Sequence, residues 1–102
     1  MQHIRLAVYK IKSGMVDEVA RRAEAGMLPI FRNQPGFVAY GIIKEGADRA
    51  VSLSVWETQQ QAEKAVQVAA AWVKDNIADM TESVENHVGD LAFFSSKLPV
   101  GR

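Results

Sequence analysis

Cysteine does not occur in the 102 residues, which excludes disulfides and thiolate metal sites. An excess of either charge is also missing: 12 Lys and Arg stand against 12 Asp and Glu, interspersed along the chain. No basic patch therefore points to nucleic acid or to an anionic membrane. The apolar runs fall far short of the roughly 20 residues that a membrane-spanning helix needs. Met1-Gln2-His3-Ile4-Arg5 enters a strand pattern directly, without the basic region, apolar stretch and cleavage site of an export signal. A cytoplasmic location is the expectation. Gly-rich phosphate loops, metal-ligand spacings and nucleophile motifs are wanting too. The chain has the length of one domain, too small for size alone to guarantee a sufficient core, and association with a second copy is the common remaining remedy.

What is present is organised around Pro35 to Thr58. Two apolar stretches, Phe37-Val38-Ala39-Tyr40-Gly41-Ile42-Ile43 and Ala50-Val51-Ser52-Leu53-Ser54-Val55-Trp56, flank the turn-forming Lys44 to Arg49, and the pattern predicts a β-hairpin. Before it, Ile4 to Lys12 alternates as a first strand, with Ile4, Leu6 and Val8 on one face and Arg5, Ala7, Tyr9 and Ile11 on the other. Ser13-Gly14 breaks that strand. Val16, Val19, Ala20, Ala23, Met27, Ile30 and Phe31 then recur at helical spacing, and Pro29 requires a bend near Ala25-Gly26. After the hairpin, Thr58-Gln59-Gln60-Gln61 has the form of a capping box opening a second helix that runs to about Asp79. Ser83 to Phe94 reads as a fourth strand with a bulge near Gly89-Asp90. Residues 1–95 form the domain, and residues 96–102 a tail that frays unless a partner holds it.

The resulting order is βαββαβ, an α+β chain of the split βαβ, ferredoxin-like type: a four-stranded antiparallel sheet with two helices on one face. Helices on one face leave the other bare. Phe37 to Ile43 and Leu91 to Phe94 carry apolar residues on both faces, so a second subunit is expected to cover the open side.

The Pro35-Gly36-Phe37 lead-in to the second strand, the Ser54-Val55-Trp56-Glu57-Thr58 exit from the third, and Leu28-Pro29-Ile30-Phe31 at the end of the first helix resemble the antibiotic biosynthesis monooxygenase domain. That resemblance implies a dimeric α/β barrel in which each protomer holds an apolar pocket beside its sheet. It also implies a monooxygenase, an oxidoreductase that uses no metal or flavin. Ground-state oxygen is a triplet, so such a reaction needs a substrate that gives up an electron easily, as a phenolate or enolate does. The site must favour that anion in a dry pocket. The expected function is therefore cofactor-independent oxidation of a small aromatic, quinol or enolic compound. The alternative is a homodimer of the same fold that holds a small apolar or aromatic molecule and does no chemistry.

Trp56 matches the tryptophan that family oxygenases place in the pocket, where it would orient the substrate; otherwise it closes the core with its N–H bonded. Ser52 stands where those oxygenases often carry an asparagine. Haem degraders of the family add a histidine on the second helix and an asparagine in the first strand, and this chain has neither there, which sets haem degradation aside. His87, read as the one interior histidine, is a candidate proton acceptor. Arg5 is the candidate for developing charge, because a buried guanidinium needs an anion. That anion is either a ligand or a carboxylate among Glu57, Glu85 and Asp90. Tyr9, Tyr40 and Trp72 complete the candidate substrate-binding set, each with an equally simple packing role.

Overall fold

A computed structural model describes residues 2–95. β1 (His3–Ile11) leads into α1 (Val16–Arg22), a π turn (Ala23–Met27) and α2 (Leu28–Arg32), which together form one bent helix. The hairpin follows as β2 (Phe37–Glu45) and β3 (Arg49–Trp56), then α3 (Gln59–Asn76), a 3-10 turn (Ala78–Met80) and β4 (Thr81–Asp90). The strands pair antiparallel in the order β2-β3-β1-β4, the ferredoxin-like arrangement expected. Among the described residues no helix is long and apolar enough to cross a membrane. The expected tail, residues 96–102, lies outside the described residues.

The bend in the first helix is a π turn in which the Leu28 N–H donates to the Ala23 carbonyl, five residues back. Pro29 has no N–H to give the carbonyl four residues before it, so the ladder is interrupted there and the turn widens. The widening serves packing. Val19, Ala23, Met27 and Phe31 are all buried at steps of four, which in a straight α-helix would drift about 40° per step. Ile30 falls off this stripe and is exposed, unlike the sequence expectation.

The motif-like residues meet at one junction. Thr58 accepts from the Gln61 N–H at 3.2 Å, and Gln61 Oε1 accepts from the Thr58 N–H at 3.0 Å, completing the capping box. Gly36, at φ 77°, lies so close to the Gln61 amide that a Cβ there would collide with it. Its carbonyl accepts from the Glu57 N–H at 3.0 Å. Pro35-Gly36-Phe37 and Trp56-Glu57-Thr58 thus lock the start of β2 to the start of α3.

The register defines two faces. On the helix side, Tyr40, Ser54 and Arg5 lie in one cross-strand row, Ile42, Ser52, Ala7 and Asn86 in the next, and Ala50, Tyr9 and Val84 in a third. On the open side the rows are Ala39, Val55, Ile4 and Gly89; then Gly41, Leu53, Leu6 and His87; then Ile43, Val51, Val8 and Glu85. Among the described residues no helix covers this second face. It is apolar across β1, β2 and β3 and becomes polar only at the edge strand β4.

Two features of β4 differ from the sequence reading. Its irregularity lies at the start, where Lys10 pairs Ser83 and Ile11 pairs Thr81, leaving Glu82 as the extra residue; Gly89-Asp90 pairs regularly. The strand ends at Asp90, so Leu91 to Phe94 does not belong to the sheet, and Phe93 and Phe94 are exposed.

Candidate functional site

The helix side of the sheet holds a buried charge. Arg5 is 1% exposed, held on the middle strand β1 beneath α3. Its Nε–H donates to Asn86 Oδ1 at 3.2 Å, Nη1 to Ser52 Oγ at 3.5 Å and Nη2 to the Tyr9 hydroxyl at 3.0 Å. All three acceptors are neutral. The carboxylates expected to pair with it do not: Glu85 turns to the open face and bonds His87 at 2.7 Å, Asp90 lies 2.6 Å from His3, and Glu57 is exposed. Among the described residues Arg5 makes no salt bridge, so the expectation of a structural ion pair is corrected. A guanidinium has five N–H donors and three are engaged, which leaves two for a ligand.

Two spaces adjoin this cation. Outward, between α3 and β4, lies a groove of about 300 Å³ lined by Arg5, Tyr9, Val66, Val73, Val84 and Asn86, with Lys74 also in its wall. Inward, between the sheet and both helices, a cavity of about 10 Å³ is bordered by Tyr40, Ser52, Ala69 and Trp72, and again by Arg5, Tyr9 and Val73. The groove is of ligand size; the cavity holds one very small molecule.

Burial, helped by repulsion from Tyr9, pushes the Tyr40 phenol up to about 12, with Arg5 and the Ser52 hydroxyl pulling the other way. Tyr40 is therefore a neutral donor at ordinary pH. Its ring packs edge-on to Phe31 at 4.9 Å, and Phe31 edge-on to Trp56 at 5.2 Å. Trp72 packs over Gly26 of the π turn, where a Cβ would come within 2.8 Å of the indole nitrogen.

Of the residues singled out by sequence, the structure brings Arg5, Tyr9, Tyr40, Ser52 and Trp72 together around the inner cavity. Trp56 stands apart. It is 1% exposed among Phe31, Phe37 and the alanines of α3, and its indole N–H donates to Ser54 Oγ at 2.9 Å. It connects to Tyr40 through Phe31, and borders a separate surface recess with Gln34, Pro35 and Gln60. His87 is not interior, which corrects the sequence reading. It is more than half exposed on the open face, in the row of Leu6, because β4 pairs Asn86 with Ala7 on the helix side. Asn86 is the residue that reading missed. Val84 and Val88, apolar at spacing two on either side of it, were the available signal that 84, 86 and 88 share the inner face.

Among the described residues no cluster of three or more His, Cys, Asp or Glu converges to hold a metal ion. The arrangement can bind an organic anion on a fixed, largely dehydrated cation, in a groove whose wall combines Val66, Val73 and Val84 with Tyr9, Lys74 and Asn86.

Solved structures share this fold at low identity. A protein of unknown function from Nitrosomonas europaea superposes with TM-score 0.76 at 20% identity, covering 98% of this chain and 96% of its own. SnoaB, a cofactor-independent oxygenase from Streptomyces nogalater, gives 0.72 at 14% identity, covering 91% and 95%. A NIPSNAP-like domain protein from Burkholderia xenovorans gives 0.68 at 19%, covering 99% and 94%. No curated protein matches the chain. The family model for antibiotic biosynthesis monooxygenase matches residues 3–72, a stretch that includes Arg5, Tyr9, Tyr40, Ser52, Trp56 and Trp72, and the chain belongs to that family.

Proposed function

We propose that this protein is a cofactor-independent monooxygenase that binds a small aromatic, quinol or enolic compound as its anion in the groove between α3 and β4. The observation that carries the reading is Arg5, a cation 1% exposed and, among the described residues, bonded only to neutral side chains at the base of that groove. A charge in that setting is costly unless an anion completes it, and worth more to that anion than the same charge in water. Arg5 makes a bound phenol or enol more acidic, and its proton leaves to solvent through the open groove. Val66, Val73 and Val84 give the ring an aliphatic wall to pack against.

The anion then has the electron that triplet oxygen requires. One electron passes to dioxygen, the carbon radical and superoxide join in a C–O bond, and the peroxide takes up a proton. Loss of water, with the remaining hydrogen on that carbon leaving as a proton, makes a carbonyl. In sum a CH2 and O2 become C=O and H2O, with the substrate as the reductant. Arg5 holds the oxyanion, Tyr9 and Asn86 fix the guanidinium, and Trp56 positions Tyr40 through Phe31.

Oxygen uptake with a panel of hydroquinones and anthrone-like phenols tests the reading. Uptake above the buffer blank that is lost in Arg5→Met supports it; rates equal to the blank across the panel reject it. A second reading, ligand binding without chemistry, draws on Ser52 in place of the family asparagine. Saturable binding of the same phenols with no uptake would favour that reading.

The protein works as a homodimer in this proposal, a second copy covering the open face of Ile4, Leu6, Val8, Val51, Leu53 and Val55. Ile43 on that face is 56% exposed in the single chain. Sedimentation at micromolar concentration as a stable native monomer would overturn it.

A further inference from the structure

We propose that the small cavity between the sheet and the helices is a dioxygen site that supplies the anion bound in the adjoining groove. The proposal rests on the oxygenase reading above. It starts from an adjacency: cavity and groove have Arg5, Tyr9 and Val73 in common, so a single layer of side chains divides them. Val73, one of the three, has a wholly aliphatic side chain.

Size and chemistry select the occupant. About 10 Å³ excludes any organic substrate and leaves room only for a very small molecule. The lining is almost wholly carbon, from Val19, Ala23, Met27, Ile42, Ala50 and Ala69. Of the polar groups at its border, Arg5 is bonded to Tyr9 and to Ser52. A buried water needs two to four polar partners, and dioxygen needs none. An apolar diatomic therefore gains by leaving water for this space. In the reaction it serves, dioxygen is the oxidant and the bound organic anion the reductant; one oxygen atom ends in the carbonyl and the other in water.

Dissolved oxygen is paramagnetic, and its occupancy can be read without turnover. Methyl relaxation is measured by NMR on the full chain under oxygen and under nitrogen pressure. The alanines of the cavity, Ala23, Ala50 and Ala69, are compared with Ala62 and Ala65, which are as deeply buried but do not line it. Faster oxygen-dependent relaxation at the first three is the expected result. Ala50→Val, a change suited to a strand, should abolish that contrast and raise the KM for oxygen several-fold while leaving the KM for the phenol unchanged. Equal relaxation at all five methyls overturns the proposal, and this wild-type comparison decides the matter if Ala50→Val does not fold. Enhancement without uptake on any phenol would keep the site and remove the oxygenase reading. Uptake with equal relaxation would do the reverse.

Discussion

Arg5 on β1 donates its Nε–H to Asn86 Oδ1 on β4 at 3.2 Å, joining a buried cation to a side chain that returns no charge. An aspartate has the same shape as that asparagine. The neutrality of Asn86 therefore leaves the guanidinium without a carboxylate partner on β4.

Asn86→Asp should close the site electrostatically. The new carboxylate would occupy the anion's place in the charge balance, and the KM for a phenolic substrate should rise roughly tenfold or more. The melting temperature should not fall. Steady-state kinetics beside a thermal scan checks both, and an unchanged KM would show that Arg5 does not bind the substrate's oxyanion.

Arg5→Met should separate function from folding. Replacing a buried charge by a flexible apolar chain changes stability by about 2 kcal/mol or less in either direction, while removing the cation should abolish oxygen uptake. Arg5→Lys keeps the charge but cannot reach Asn86, Ser52 and Tyr9 together, and should fall between. Urea denaturation and uptake measured on the same preparations test the pair.

Tyr40 should give the protein an alkaline limb. Its phenol is raised to about 12, chiefly by burial, from an ordinary value of 10. The unfolded chain therefore ionises first, so the stability it contributes is complete below pH 10 and is lost as the pH rises toward 12. Tyr40→Phe should flatten that decline. Denaturation midpoints across this range, with absorbance following the phenolates, are the measurement.

Gly26→Ala should destabilise although it improves helix propensity. The propensity gain is about 1 kcal/mol, but the new methyl would stand 2.8 Å from Trp72 Nε1 and force the indole away. Overpacking of this kind costs about 1–3 kcal/mol. A lower melting temperature with altered tryptophan emission is expected, and a rise in stability would show that Trp72 moves freely.

Leu53→Glu should dissociate the homodimer proposed above. Leu53 lies between Gly41 and Leu6 in the middle row of the open face, where a carboxylate from each copy would be buried against carbon. Sedimentation velocity should show a monomer, and an unchanged dimer would place the interface elsewhere.

Much of the architecture was legible because local chemistry specified it. Pro29 announced a bend, Thr58 and Gln61 announced a cap, and the alternation of β1 placed Arg5 and Tyr9 on one face. What was not legible depends on pairings far apart in the chain. Arg5 and Asn86 are 81 residues apart, and only the register of β1 against β4 decides that Asn86 rather than His87 faces inward. The four apolar residues Leu91 to Phe94 carry strand propensity but lie beyond Asp90, where pairing with β1 ends. Trp56 was placed in a motif correctly and in a pocket only by analogy, since its N–H goes to Ser54, two residues away on the same strand.

The π turn has a consequence for how the chain can change in length. It is in effect one residue inserted into a helix, bringing Phe31 round to Trp56 after Val19 has already been seated over the sheet. Deleting any one residue between Ala23 and Met27 would let the turn tighten to ordinary geometry and swing the two halves by about 100° relative to each other. Phe31 would then point away from its neighbours, so a shortening that makes the local backbone more regular would dismantle the packing beneath it.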